Sequence, residues 1–96
     1  MPKRVDANQA EIVADLRKCG ATVHSLHEVG SGCPDILVGF RGVNYLIEIK
    51  SGTPAKLNPI QWDWHREWQG QVVVARTSED ALHIIGLLPP IIIDYS

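Results

Sequence analysis

The chain has 96 residues and a formal net charge of −2, with 45% hydrophobic and 21% charged residues. This length predicts one domain over residues 1–96, which buries enough apolar surface to fold alone without a wide margin. The composition argues against a disordered chain and against a simple basic coat for DNA, and no apolar run approaches the ~20 residues of a membrane span. The N-terminus is polar, with no signal-peptide pattern, and two cysteines are too few for a disulfide scaffold. We therefore expect a cytoplasmic protein.

The first quarter of the chain predicts a helix followed by a strand. Apolar residues at helical spacing precede Gly20, which is typical of the position just after a helix end. Asp6 or Asn8 is expected to cap the start of this helix. Residues 21–28 have the alternating pattern of a strand, and the sequence leaves open which face of that strand is buried.

Residues 35–40 and 43–50 are the clearest predicted strands. Only Arg41 and Gly42 separate them, and such a short connection with glycine indicates a β-hairpin. Both runs are almost continuously apolar, which predicts the middle of a sheet that is covered on both faces.

The next helix begins with a clear capping pattern. Asn58 is the predicted N-cap, Pro59 occupies the first helical position, and Gln61 completes a capping box. The helix is expected to end at residue 68 or 69, before Gly70. Residues 71–76 then predict a fourth strand.

A third helix is expected after a second capping sequence at residues 77–80, ending at Gly86. The resulting order, αβββαβα, predicts an α/β fold around a four-stranded mixed sheet. The apolar tail over residues 87–96 is expected to close the core or to dock on a second subunit.

The predicted hairpin places two carboxylates together. If Arg41 and Gly42 form a two-residue loop, the same register pairs Asp35 with Glu48 on one face, with Cβ atoms about 5 Å apart. A four-residue loop would keep both acids on that face, in diagonal positions. Lys50, two residues after Glu48, projects from the same face.

This arrangement is typical of a site for phosphodiester hydrolysis. Two carboxylates so close repel each other, and Mg²⁺ or Mn²⁺ removes the conflict, with the Ile49 carbonyl as a further candidate ligand. Lys50 would orient water or stabilise charge on the phosphate. The structural alternative is that Asp35 is a turn residue and that Glu48 and Lys50 form a solvated face. Because the acids interrupt apolar runs, where unpaired charge is costly, the pattern favours a site and leaves the alternative open.

Taken in order, the motifs of the chain resemble the PD-(D/E)XK nuclease superfamily. More narrowly, the chain resembles the virus-type replication-repair nuclease family, VRR-NUC, in its small stand-alone phage or bacterial form. The resemblance extends from about Glu11 to about Asp80. Its elements are Glu11, Gly32-Cys33-Pro34-Asp35, Glu48-Ile49-Lys50-Ser51-Gly52, Leu57-Asn58-Pro59-Ile60-Gln61, Trp64-His65, residues 70–76 and Ser78-Glu79-Asp80.

The resemblance implies a restriction-endonuclease-like core and metal-dependent cleavage of DNA. Its metal ligands would be Asp35, Glu48 and the Ile49 carbonyl, and its catalytic lysine would be Lys50. Glu11, on the first helix, would approach the metal directly or through water. The resemblance also implies a homodimer that acts on branched DNA, such as Holliday junctions, in bacterial or phage-infected cells.

Gln61 has two competing interpretations, because the resemblance assigns it to the active site and its position assigns it to the capping box. Ser31, in the turn before Asp35, and Lys56, in the loop after the hairpin, are candidate phosphate contacts.

The two cysteines and the histidines near them form no recognisable ligand spacing, which disfavours a structural zinc site and a Cys33–His65 nucleophile pair. Trp64 and Trp68 share a helix face and are predicted to pack on the sheet, with base stacking as the alternative. The competing functional hypotheses are a non-catalytic DNA-binding or assembly module and a structural metal protein.

Overall fold

A computed structural model describes residues 7–52 and 56–87, and its elements follow the predicted αβββαβα order. These elements are α1 (Gln9–Lys18), β1 (Thr22–Ser25), β2 (Ile36–Phe40), β3 (Val43–Ile49), α2 (Pro59–Glu67), β4 (Val73–Ala75) and α3 (Ser78–Ile84). Asp6 and the apolar tail after Leu87 lie outside the described residues. Within the described ranges, every helix is too short or too polar to cross a bilayer.

The four strands form one mixed sheet in the order β1-β2-β3-β4. The pairs β1–β2 and β2–β3 are antiparallel, whereas β3–β4 is parallel. The two outer strands are shorter than the sequence predicts. The expected strand over 21–28 ends at Ser25, and the expected strand over 71–76 covers only Val73–Ala75.

The predicted hairpin between β2 and β3 is confirmed. Phe40 pairs with Val43, and the ladder continues to Ile36 opposite Ile47. The two loop residues adopt positive φ angles, 51° at Arg41 and 80° at Gly42. This combination is the type I′ turn, whose twist matches that of the flanking strands, and it fixes the two-residue register.

The main core lies on one face of the sheet, under α1 and α3. The apolar residues of β2 and β3 that point to this face pack against α1 and α3. Val23 of β1 joins them, which settles the buried face of that strand. The core consists of Ile12, Leu16, Ala21, Val23, Ile36, Val38, Phe40, Ile47, Ile49, Ala75, Ala81 and Ile85.

The opposite face of the sheet is covered only in part, which differs from the predicted burial on both sides. Leu37 and Leu46 are half-buried there, and Asn44 is exposed. Helix α2 lies on this face, with Trp64 and Trp68 close to the two leucines along one groove. The partial cover leaves the central strands open to a ligand near the residues that α2 contacts.

A close approach between Gly32 and the start of α2 connects the turn before Asp35 to that helix. Gly32 has φ of 84°, and a Cβ atom at this position would lie 2.6 Å from the Ile60 carbonyl oxygen. Gly30 has φ of 67°, but a Cβ atom there would meet nothing within 4 Å. Both glycines therefore have a left-handed backbone conformation. Of the two, only Gly32 also has no space for a side chain.

We expect Gly32→Ala to destabilise the fold more than Gly30→Ala. The Gly30 substitution adds only the cost of a left-handed alanine, about 1–2 kcal/mol. The Gly32 substitution adds a clash with backbone, which forces α2 away from the sheet. Urea unfolding of both variants measures the difference, and equal losses of unfolding free energy would contradict the close approach.

Candidate active site

The two predicted carboxylates lie side by side at the centre of the sheet. Asp35 immediately precedes β2 and Glu48 is the penultimate residue of β3. The observed ladder ends with Ile36 opposite Ile47, and extension of that register by one residue places Asp35 opposite Glu48. Both acids are buried, with relative exposures of 7% for Asp35 and 1% for Glu48. Burial of two neighbouring carboxyl groups is costly, which favours a functional role for them.

Asp35 also bonds to the backbone of the opposite strand. The Ile49 N–H donates to Asp35 Oδ2 with an N···O distance of 2.7 Å. A residue in a strand directs its N–H and its C=O to the same neighbour. The Ile49 carbonyl therefore points to the side of β3 on which Asp35 lies, while the Lys50 N–H donates to Ala75 on the other side.

Lys50 is held by the start of α2. Its Nζ donates to Gln61 Oε1 at 2.6 Å, and the same oxygen accepts a hydrogen bond from the Asn58 N–H at 3.0 Å. In return, Asn58 Oδ1 accepts from the Gln61 N–H at 2.9 Å, which completes the predicted capping box. The capping role and the contact with Lys50 are therefore compatible, because one amide oxygen serves both.

A pair of variants separates these two roles of Gln61. Asn58→Ala and Gln61→Ala each break the capping box, and each is expected to reduce stability by about 1 kcal/mol. Only Gln61→Ala also frees the Lys50 ammonium group, so we expect it alone to lower phosphodiester cleavage by a further factor of about ten or more. Thermal unfolding and cleavage rates of both variants test this difference. Equal cleavage rates would show that Gln61 acts only as a helix cap.

His65 contacts Glu48 from the next turn of α2. Its Nε2 atom lies 3.7 Å from Glu48 Oε1. Burial lowers the pKa of the His65 imidazole, and the positive charge of Lys50 lowers it further. Both effects favour the neutral ring beside the carboxylate. The sequence does not predict this contact, although the spacing of four residues between Gln61 and His65 places both side chains on one helix face.

Asn8 connects the start of α1 to the same end of the sheet. The sequence predicts Asp6 or Asn8 as the cap of α1. Asn8 occupies the N-cap position, but its φ and ψ are helical and its side chain makes no capping hydrogen bond. Instead, its amide nitrogen donates to the carbonyl oxygens of Lys50 and Arg76, which follow β3 and β4. Glu11, three residues later, lies on the same helix face as Asn8 and is exposed.

Two of the expected contacts are present: the Ile49 N–H bonds to Asp35, and Lys50 bonds to Gln61. That these residues form one metal site with Glu48 stays a prediction. Among residues 7–52 and 56–87, no three His, Cys, Asp or Glu side chains are grouped as in a metal site, so Glu11 as a third acidic ligand stays a prediction.

The remaining candidate residues are the two proposed phosphate contacts and the two cysteines. Ser31 is exposed with φ of 55°, and Lys56 is exposed before α2. Neither Cys19 nor Cys33 forms a disulfide bond in the described part of the chain, and Cys33 is buried.

Trp64 of α2 and Trp68, which caps the end of this helix, line a groove of about 560 Å³ on the same sheet face as Glu48. Trp64 and Trp68 stack on each other, with ring centroids 4.7 Å apart, and so share a helix face as predicted. Trp68 is nevertheless exposed, and Trp62 points away into solvent. The stack thus forms one wall of an open groove and is only partly buried.

A solved structure described as a VRR_NUC domain is similar to this chain, with a TM-score of 0.62 and 27% sequence identity. The alignment covers 82% of this chain and 97% of that one. No protein-family model matches the sequence, and no curated protein matches it at a significant level. The structural match confirms the predicted family resemblance and the predicted α/β fold, whose mixed four-stranded sheet is flanked by helices.

Proposed function

We propose, from the premise that this chain has a VRR-NUC-type nuclease fold, that it is a divalent-metal-dependent DNA endonuclease. The observation that carries the proposal is the buried Asp35–Glu48 pair at the centre of the sheet, with Lys50 two residues further on. A structural role alone does not account for two adjacent buried acids on otherwise apolar strands.

The donor set fits a hard divalent cation. Asp35 and Glu48 supply carboxylate oxygens, and the Ile49 carbonyl points to the same side of β3 as Asp35. Oxygen ligands of this kind, completed by water, are those that Mg²⁺ and Mn²⁺ prefer. Glu11 would complete the set from α1, directly or through water, because α1 begins at the same end of the sheet.

We assign separate roles in hydrolysis to the two acids and to Lys50. A bound divalent cation supplies Lewis acidity to the phosphoryl group and makes water a better nucleophile at neutral pH. Asp35 and Glu48 hold that charge in a buried setting, where electrostatic interactions are strong. Lys50, held by Gln61, directs its ammonium group toward the developing negative charge on the phosphate or orients the attacking water.

The low net charge is compatible with DNA as the substrate once the metal is counted. The metal-free chain has a formal charge of −2, and one Mg²⁺ brings the sum to −2 + 2 = 0. Two ions would bring it to +2. DNA affinity should therefore rise with the divalent cation and fall with monovalent salt. Ser31 and Lys56, both exposed, are the proposed phosphate contacts.

We further propose that the enzyme acts as a homodimer on branched DNA. A second copy of the domain would supply a larger footprint on DNA and a second active site for a second cut. Light scattering at micromolar concentration tests the dimer, and a monomer there would contradict it.

A substrate panel tests the activity. Supercoiled plasmid, linear duplex and a four-way junction are incubated with Mg²⁺, with Mn²⁺ or with EDTA. We expect cleavage with at least one metal, none with EDTA, and a preference for the junction. Absence of cleavage with both metals would favour the non-catalytic DNA-binding module instead, which a gel-shift measurement on the same DNAs would detect.

A further inference from the structure

Helix α2 contacts two active-site residues at once, and its spacing matches that of β3. Gln61 contacts Lys50 and His65 contacts Glu48, so α2 runs antiparallel to β3 at this point. Four residues of helix advance about 6 Å and two residues of strand about 6.6 Å, so the two pairs can form together without distorting either element. The capping box fixes where α2 begins and thus sets this register.

The position of His65 Nε2 calls for an explanation. This atom is buried and has no hydrogen-bond partner among the described residues. It lies 3.7 Å from Glu48 Oε1, slightly beyond hydrogen-bonding distance. The ring is restrained by an edge-to-face contact with Trp64, at a centroid distance of 6.0 Å. Buried polar atoms without a partner are rare in folded proteins, and each calls for an explanation, such as a catalytic role or an ion nearby.

We propose that His65 is a positioning residue for Glu48, as Gln61 is for Lys50. The imidazole Nε2–H closes on one Glu48 oxygen when the carboxylate turns to bind the cation, and it holds that orientation. This inference rests on the proposed function, because it assigns Glu48 as a metal ligand. Hydrogen-bonding partners of metal ligands commonly contribute 10- to 100-fold to metal affinity.

Calorimetric titration of the full chain with Mn²⁺, without DNA, tests the proposal. We expect His65→Leu to weaken Mn²⁺ binding about 10- to 100-fold. His65→Gln, whose amide nitrogen reaches the position of Nε2, should retain most of the affinity. With DNA present, excess Mn²⁺ should restore much of the cleavage lost in His65→Leu, whereas the KM for DNA should stay close to that of the wild type.

His83 provides a matched control. It lies on α3, and its Nε2 is also 3.7 Å from a glutamate, Glu79, away from the candidate site. His83→Leu should bind Mn²⁺ like the wild type, which separates a loss of positioning from a general effect of removing a histidine. If His65→Leu does not fold by circular dichroism, His65→Asn replaces it, because the shorter amide does not reach Glu48.

The outcomes separate this inference from the proposed function. Unchanged Mn²⁺ affinity in His65→Leu, equal weakening in His65→Gln, or a wild type that binds no Mn²⁺ would each overturn the role of His65. A wild type that binds Mn²⁺ but cleaves none of the DNA substrates would overturn the proposed nuclease activity and leave the comparison of His65 variants valid.

Discussion

Replacement of Lys50 by alanine is expected to lower the rate of DNA cleavage at least about 100-fold, because it removes the positive group that stabilises charge on the phosphate. The Lys50 Nζ contacts Gln61 Oε1 and is only partly buried, so its removal leaves the core intact. The free energy of unfolding should therefore change little. Plasmid nicking under single-turnover conditions, together with urea unfolding, measures both quantities.

The control for this variant is Lys18→Ala. Lys18 is an exposed lysine in the last turn of α1, so its replacement changes the net charge equally. It should cleave DNA at nearly the wild-type rate. Cleavage by Lys50→Ala within about threefold of that rate would show that the lysine does not act on the phosphate.

Asp35→Asn is expected to abolish both metal binding and cleavage while the metal-free fold stays intact. The amide oxygen of asparagine can still accept the hydrogen bond from the Ile49 N–H. The substitution is nearly isosteric and keeps this hydrogen bond, so the metal-free variant should stay folded and unfold at a temperature close to that of the wild type. Glu48→Gln should likewise lose metal binding and cleavage.

Thermal unfolding with and without Mn²⁺ measures this effect. A ligand that binds only the folded state raises its stability. Mn²⁺ should therefore raise the unfolding temperature of the wild type and leave that of Asp35→Asn unchanged. An equal rise in both proteins would place the metal elsewhere.

The parts of the fold that follow local rules could be predicted from the sequence. The register of the hairpin follows from its two-residue loop, and the start of α2 follows from the capping box of Asn58 and Gln61. The ends of β1 and β4 could not be predicted in this way. Their lengths depend on how far each ladder extends along a neighbouring strand, which local pattern does not encode.

The candidate site likewise contains contacts that follow from local sequence and contacts that depend on the tertiary structure. The sequence predicts the hairpin register, and the observed ladder follows it as far as Ile36 opposite Ile47, the residues next to Asp35 and Glu48. The sequence predicts Asp6 or Asn8 as the cap of α1, and Asn8 occupies that position. Its amide nitrogen, however, donates to the Lys50 and Arg76 carbonyls, and these contacts depend on the tertiary structure. The contact of His65 with Glu48 depends on how α2 lies against β3, and only the tertiary structure defines that placement.

The most direct test of the account is the position of the metal in a crystal of the full chain grown or soaked with Mn²⁺. Anomalous diffraction at a wavelength where manganese scatters strongly locates the ion without reference to the protein density. The account predicts one strong peak within bonding distance of the Asp35 and Glu48 carboxylates and the Ile49 carbonyl. A fully occupied peak elsewhere, or none at this pair in a crystal that holds Mn²⁺, would contradict it.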